Sequence, residues 1–497
     1  MPHEQFAEFA AVVGALGAAA VLLARSRLPL LAGFALLAVA EVALVAARVP
    51  REDLDRLTTP QAAVALVAAA LMVAAGAVVF VRWPEIVPVA LLVAAPFRLP
   101  VDLGAQHAFL LLPLYGALAA AGLALVVRAA RGDVAALPLA LAAPVAAFIA
   151  LAAVSLTWSL DPKQGTVELV FFLFPAAALV AVVARAPIAP WLARALVVTL
   201  VALGSFFAVI GIWQAATHRV FFARDLEVAN AYTTYFRVTS LFKDPSLYGR
   251  HLVLAIAVLL VALWLGKIAV PAAVAAIALL FVGLWFSYSQ SSMATLFAVT
   301  VAVTIVLTDR RTRLVVTAAC VALLLAAAGA VAATAEGSPW RKATSGRSHL
   351  AEVTLPVIRN NPLAGAGVGA QPLASRREAH TDTRTSRNAS HTTPLTVAAE
   401  LGLLGVIAYL ALLAVGVRLV LGAIDRDRAF GLGLAAVLFA LVLFSLVYAG
   451  FFEDPIAWGA LALAAAVGSR PAAAPGEQTQ PPVRRPAPSP AEPRSMR

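Results

Sequence analysis

Charge is scarce in this chain. Only 13% of its 497 residues are Asp, Glu, Lys or Arg, against ~25% in ordinary soluble proteins, while 62% are hydrophobic and the mean hydropathy is +0.91. No water-soluble core of this size can hide so much apolar surface, which excludes a cytosolic enzyme and a secreted domain. Cysteine is nearly absent too. Cys320 stands alone in an apolar run, so neither an internal disulfide framework nor a cysteine metal cluster is available. The opening MPHEQFAEFA carries acid where a cleavable signal has a positive n-region, so the apolar stretch after it reads as a retained span and no targeting peptide is expected. No solenoid repeat is visible.

Long apolar runs are what the chain has instead. They read at roughly 9–24, 28–47, 61–81, 84–98, 107–128, 134–157, 166–184, 190–214, 247–265, 268–287, 290–308, 313–334, 394–420, 430–449 and 452–468. The runs are continuous and rich in Leu, Ala and Val rather than alternating, so helices and not barrel strands satisfy the backbone in lipid. The expected fold is an all-α polytopic membrane helical bundle of about 12 to 15 transmembrane helices. The run at 84–98 holds Pro84, Pro88 and Pro96 and has the length of a re-entrant segment, whose loss would invert the parity of every span before it.

The chain thus divides into a bundle over 1–334 with a polar loop at 215–246, a basic loop with short amphipathic helices over 335–393, C-terminal spans over 394–469, and a disordered tail over 470–497. Lys and Arg of short connectors mark the cytoplasmic side. Arg25, Arg27, Arg82, Arg128, Arg131, Arg185, Lys267, Arg310, Arg311, Arg313, Arg418, Arg426 and Arg428 attach to the odd-numbered connectors, which places both long loops on the extracytoplasmic face and the tail inside.

The formal charge of +11 gathers in connectors, tail and above all the second long loop. There Arg341, Lys342, Arg347, Arg359, Arg376, Arg377, Arg384 and Arg387 face only Glu352, Glu378 and Asp382, a surface suited to phosphate or acidic glycan and equally to lipid headgroups. The first long loop ends with Arg237, Lys243-Asp244-Pro245-Ser246 and Arg250-His251 at a helix entrance. Free N–H groups there already favour an anion, so Arg237, Lys243 and Arg250 suit a diphosphate, although a capping turn with local ion pairs fits the same residues. Ser345 and Arg347 open a short amphipathic helix, where a first-turn cation is disfavoured unless an anion lies nearby. Gly365, Gly367 and Gly369 follow no strand and read as a tight loop rather than a dinucleotide fingerprint. His391 is the last polar group before a span that holds Glu400, Gly402 and Gly405. A neutral imidazole there can take a proton from an incoming hydroxyl, a structural role being the plainer alternative, and the glycine pair suits close helix packing. Glu41 and Glu400 apart, the spans read as nearly free of acid.

In content and order these clusters resemble the O-antigen ligase and O-antigen polymerase superfamily of polytopic membrane glycosyltransferases. The resemblance covers about residues 200 to 420. It rests on Arg237 before Phe242-Lys243-Asp244-Pro245-Ser246, on Ser287-Tyr288-Ser289-Gln290-Ser291 between two spans, on Gly346-Arg347 with Pro362-Leu363-Ala364-Gly365-Ala366-Gly367, and on His391 ten residues ahead of Gly402-Leu403-Leu404-Gly405. Thr392 follows the histidine where Asn, Ser or Gln is usual, Ser246 stands where Asn is common, and Gln290 replaces a frequent arginine whose place Arg250 is one candidate to fill. The resemblance implies an inverting, metal-independent transfer of a glycan from a polyprenyl (undecaprenyl) diphosphate carrier to a hydroxyl of a glycolipid, polysaccharide or protein. It places that transfer on the outer face of the plasma (inner) membrane, with no cofactor and no nucleic acid. It makes His391 the base and Arg237 and Arg347 diphosphate ligands; the residues themselves add Lys243 and Arg250 to that seat and offer Glu400 as a group that could orient the base. Ligase and polymerase read alike at this level. A secondary transporter or lipid flippase is the rival, and it would gather ionisable groups near the bilayer midplane.

Overall fold

The computed structural model describes residues 3–48, 59–103, 106–333, 347–381, 385, 389–448, 450 and 452–469. In chain order it runs α1 (His3–Leu23), α2 (Arg27–Arg48), α3 (Pro60–Arg82), the short α4 (Val87–Ala94), a hairpin of β1 (Leu99–Leu103) and β2 (Gln106–Leu110), α5 (Leu112–Ala130), α6 (Leu139–Val154), α7 (Pro162–Ala184), α8 (Leu192–Thr217), α9 (Arg224–Ala231), α10 (Pro245–Trp264), α11 (Val270–Ser287), α12 (Gln290–Leu307), α13 (Arg310–Ala333), α14 (Arg347–Asn360), α15 (Gln371–Glu378), α16 (Thr393–Arg426), α17 (Arg428–Val447) and α18 (Pro455–Gly468). Twelve helices are long and apolar enough to cross a membrane, shorter apolar ones cover Pro84–Ala94 and Pro455–Gly468, and α13 completes the set, so each apolar run has its helix. The chain is a multi-pass membrane protein. Arg341, Lys342, Asp382, Arg384, Arg387, the side chain of Arg347 and the tail from 470 lie outside the described residues.

Two elements depart from the sequence reading. The antiparallel hairpin, with Leu99 opposite Leu110 and Val101 opposite Ala108, takes the start of the run read at 107–128. Helix α9 orders part of the polar loop at 215–246.

The connectors sort to two ends. At one end Arg185, 5% exposed, donates to Ala135 O at 2.8 Å, Val21 O at 3.1 Å, Ala24 O at 3.2 Å and Ala181 O at 3.3 Å. It thereby ties the connectors after α1, α5 and α7 into one surface, the connector face. Burial pulls its guanidinium down to about 10, which leaves it charged at neutral pH. At the opposite end, the site face, Leu160 N donates to Ala366 O at 3.0 Å and Val238 N to Phe286 O at 3.2 Å, so loops far apart in sequence pair there. Five helices that begin at this end have side-chain caps, Asp161, Asp244, Ser289, Thr392 and Asp454. A proline follows each of the three aspartates, at a position where its missing N–H is no loss.

The run at 84–98 changes sides. It leaves Arg82 at the connector face and ends at Arg98, whose charge bears on Tyr448 and Glu453 at the site face. Helix α10 is the most enclosed of the long spans, with 72% of its apolar window buried, and it packs on α8, α11, α12 and α17. Its first two turns project into the site face.

Candidate functional site

The first loop is held from below by Gln214 of α8. With no exposed surface, its Oε1 accepts from Thr239 N at 3.1 Å and Ser240 N at 2.7 Å, and its Nε2 donates to Ser240 O at 2.9 Å. That clamp fixes the segment that presents Arg237. Arg237 is half-buried; its backbone exchanges two bonds with Asn230 of α9, N to Oδ1 at 3.1 Å and Nδ2 to O at 3.0 Å, and its Nε donates to Ser287 O at 3.3 Å. Among the described residues its terminal guanidinium nitrogens have no acceptor. Asp244 caps α10 through Ser246 N at 2.6 Å. Ser289 Oγ contacts Ser246 Oγ at 3.3 Å, Ser291 Oγ at 3.1 Å and Ser292 Oγ at 2.8 Å, which locks the turn between α11 and α12 to the start of α10.

Arg250 is placed differently from the expectation. Its Nη1 lies 3.0 Å from Asp454 Oδ2, with side chains 7% and 4% exposed, and Asp454 Oδ1 also caps Ile456 N at 2.9 Å. A guanidinium paired with a buried carboxylate is held against α18 and cannot stand in freely for the arginine that Gln290 replaces. Lys243 and Gln290 are exposed at the same end.

The second loop brings His391. Its backbone is left-handed at φ 54, an uncommon state for a residue with a Cβ, and both neighbours hold it. Ser390 N donates to Gln371 Oε1 at 3.0 Å, Ser390 Oγ contacts Thr396 Oγ1 at 2.7 Å, and Thr392 Oγ1 accepts from Leu395 N at 3.4 Å. The half-buried imidazole lies 6.3 Å, centroid to centroid, from the ring of Tyr448 beyond α17. Burial and then the Asp244 carboxylate push the Tyr448 phenol up, with Arg250 and Arg98 opposing, so the phenol keeps its proton at neutral pH. His391, Tyr448, Asp244, Arg250 and Arg98 therefore share one neighbourhood. Arg347 begins α14 as expected.

Glu400 acts one step away from the imidazole. Its Oε1 accepts from Gln371 N at 3.2 Å, at the start of α15, and Gln371 Oε1 in turn holds Ser390. Through Gln371 it bears on the peptide before His391. Gly402 also does more than permit helix packing: φ 62 and ψ −155 break α16 there. The loop at 362–367 docks into the break, with Ala366 N to Ala399 O, Gly367 N to Glu400 O and Leu403 N to Pro362 O all at 2.8 Å. Gly365, Gly367 and Gly369 have φ of 70, 94 and 73, and a Cβ on Gly365 or Gly402 would enter the opposing backbone. Ser155 Oγ accepts from Val368 N at 3.0 Å and Ser159 Oγ donates to Val368 O at 2.8 Å. The glycine run is the tight loop its sequence indicates.

Three carboxylates face one space. Glu168, Glu400 and Glu453 line a cavity of about 80 Å³ together with Thr393 and Thr396. The spans are thus richer in acid than the sequence reading allowed: Glu168 sits on α7 immediately before a π-helical turn at Leu169–Leu173, and Glu453 precedes α18. An acid inside an apolar run was the available signal, since lipid tolerates it only when it faces the protein interior. Glu453 is accessible to water yet walled by packed side chains. Burial pushes its carboxyl up, Arg98 and Arg250 pull it down, and Asp454 adds to the rise. Among the described residues no three His, Cys, Asp or Glu side chains form a group that could hold a metal ion.

Residues 273–410 match the model of a family described as O-Antigen ligase. The matched segment runs from α11 into α16 and includes Gln290, Arg347, His391, Glu400 and Gly402. No curated protein matches the chain. The match supports the O-antigen ligase superfamily, a group of membrane enzymes of the ligase and polymerase type.

Proposed function

We propose that this membrane protein of the O-antigen ligase superfamily transfers a glycan from a polyprenyl diphosphate carrier to a hydroxyl acceptor at its site face. The observation that supports this reading most is the placement of His391 beside Tyr448, a phenol that also feels the charges of Asp244 and Arg250 at the start of α10. The acceptor oxygen attacks the anomeric carbon from the side opposite the diphosphate, the bond to the diphosphate oxygen breaks, and the electron pair leaves with that group. The acceptor proton passes to His391, and one displacement inverts the anomeric centre. Arg237, whose terminal nitrogens have no acceptor among the described residues, and Arg347 at the start of α14 take the charge that grows on the leaving group, a task suited to the guanidinium fork. Lys243 adds attraction from the rim, and Arg250 secures the start of α18 through Asp454. No cofactor enters this route. The site face is extracytoplasmic in the inner membrane, because the basic residues of the short connectors attach to the other end. A glycolipid acceptor makes the chain a ligase; a growing polysaccharide makes it a polymerase.

Purified protein in vesicles, given a polyprenyl diphosphate glycan and each acceptor in turn, tests this. Glycosylated acceptor and polyprenyl diphosphate should appear in equal amounts with the native chain and not with His391→Gln. Movement of the donor across the vesicle without transfer would shift the reading to a transporter, which the carboxylate cavity also suits.

A further inference from the structure

The two shorter apolar helices are neighbours in one place. Pro84–Ala94 and Pro455–Gly468 rise only about 16 and 21 Å at ~1.5 Å per residue, against a hydrocarbon core of ~30 Å. Both border a cavity of about 800 Å³ whose walls come also from α8, the second half of α10 and the first half of α17. Its lining is apolar except at the connector-face end, where Arg194, Lys267 and Asp427 stand. Arg194 and Lys267 are exposed, and among the described residues neither side chain is in an ion pair or a hydrogen bond. Asp427 has its own duty, since its Oδ1 accepts from Phe430 N at 3.0 Å as the cap of α17. Two glycines leave the wall bare: a Cβ on Gly433 would meet nothing within 4 Å, and one on Gly459 only Leu179 Cδ2 at 3.8 Å.

Apolar walls keep water out, and an apolar cavity of only ~150 Å³ already takes a benzene-sized guest. A space several times larger, inside a bilayer and beside helices too short to fill it, accommodates hydrocarbon chain. Two cations at its mouth select the head that chain carries. We propose that the cavity is a binding site for one anionic phospholipid drawn from the connector-face leaflet, its phosphate between Arg194 and Lys267 and its acyl chains under Val87–Ala94. The site lies at the end of the bundle opposite His391 and does not rest on the catalytic reading. Its role is to complete the packing that two short helices leave open.

Native mass spectrometry and lipid extraction of the protein purified in mild detergent, followed by melting curves after delipidation and return to phosphatidylglycerol or phosphatidylcholine vesicles, test the assignment. The native chain should retain one phospholipid and melt higher in phosphatidylglycerol than in phosphatidylcholine. Reversing both charges, Arg194→Glu with Lys267→Glu, should cut retained anionic lipid at least tenfold. Gly433→Leu and Gly459→Leu have room for the new side chain, so they should fold, melt no lower than the native chain in detergent, and lose the lipid. No retained lipid in the native chain, equal effects of the two vesicle lipids, or undiminished retention in the leucine variants would overturn the proposal. So would a polyprenyl diphosphate found as the retained molecule. Inorganic phosphate that reproduces the stabilisation by itself would overturn it too, since the chains would then contribute nothing.

Discussion

At the connector face Arg185 gives its hydrogens to four backbone carbonyls and keeps 5% of its surface. At the site face Arg237, half-buried, gives its side chain one carbonyl, at 3.3 Å. The contrast extends beyond two arginines. Thr239 Oγ1, Ser240 Oγ, Tyr248 Oη, Arg250 Nε and Thr393 Oγ1 are buried side-chain atoms without a hydrogen-bond partner among the described residues, and all belong to the site-face end, where Asp454 Oδ2 is held by its ion pair with Arg250. Among the described residues, those other than glycine with positive φ, His218, Phe222, Ser240, Tyr288, His380 and His391, lie in its loops and turns as well. At the connector face the buried polarity is bonded and the connections are short, and the unpaired cations there, Arg194 and Lys267, are exposed. The other end holds unpaired polarity and backbone strain, which is where a ligand finds groups waiting for it.

Substitutions that break one end and spare the other test this difference. The largest effect is expected at His391: His391→Ala and His391→Gln should insert normally, retain the lipid-linked donor and lose about 10² to 10⁴ in transfer rate. Native activity should also fall as the pH drops into the range where imidazole takes a proton. A variant that loses donor binding alone would make the histidine a phosphate ligand. Arg185→Met should cost about 3 to 5 kcal/mol by leaving buried carbonyls unpaired, read as poor recovery of folded protein, with whatever folds still active. Arg237→Ala should do the reverse, with an unchanged melting temperature and a turnover loss of about ten- to a hundredfold, as expected for ~1.5 to 3 kcal/mol from a charged hydrogen bond. Lys at that position should restore little, because an ammonium cannot fork onto two oxygens. If Arg237→Ala melts early and turns over normally, the two ends are not specialised as described.

Gly402→Ala should destabilise by about 1 to 3 kcal/mol through strain at positive φ, more if the docked loop is displaced. It should also lower activity, because the loop that fills the break leads on to α15 and thence to Gln371 and Ser390. The smallest effect is expected at Glu453, and it depends on pH. Burial raises its folded pKa above the value of about 4.3 usual for glutamate, so its contribution to stability is present at low pH and is lost as pH rises through the raised value. Glu453→Gln cannot ionise; it should match the native chain at pH 4 and melt a few degrees higher at pH 8. Parallel curves across that range would show that Glu453 ionises freely in its cavity.

The spans were legible because lipid demands continuous apolar runs, and each run became a helix. The hairpin at 99–110 was not, because its residues do not alternate and Phe109 and Leu110 run straight into the apolar start of α5. His391, Arg237 and the glycine run stood out as polar or flexible residues at the edges of hydrophobic runs. What composition could not show was partnership. Glu400 is linked to the peptide before His391 through Gln371, and the third member of the carboxylate cavity, Glu168, comes from a helix more than two hundred positions earlier. Spacing rules see one helix at a time, and these contacts lie between helices.

The pair between Arg250 and Asp454 also sets an order of manufacture. Asp454 is made roughly 200 residues after Arg250, which at ~5 to 20 residues per second leaves the guanidinium without its carboxylate for about 10 to 40 seconds of synthesis. Until the last hairpin emerges from the insertion machinery, α10 carries an uncompensated cation into the bundle, and the start of α18 has nowhere to dock. A chain stopped before Asp454 should therefore assemble its site face less well than one that reaches the end of α18.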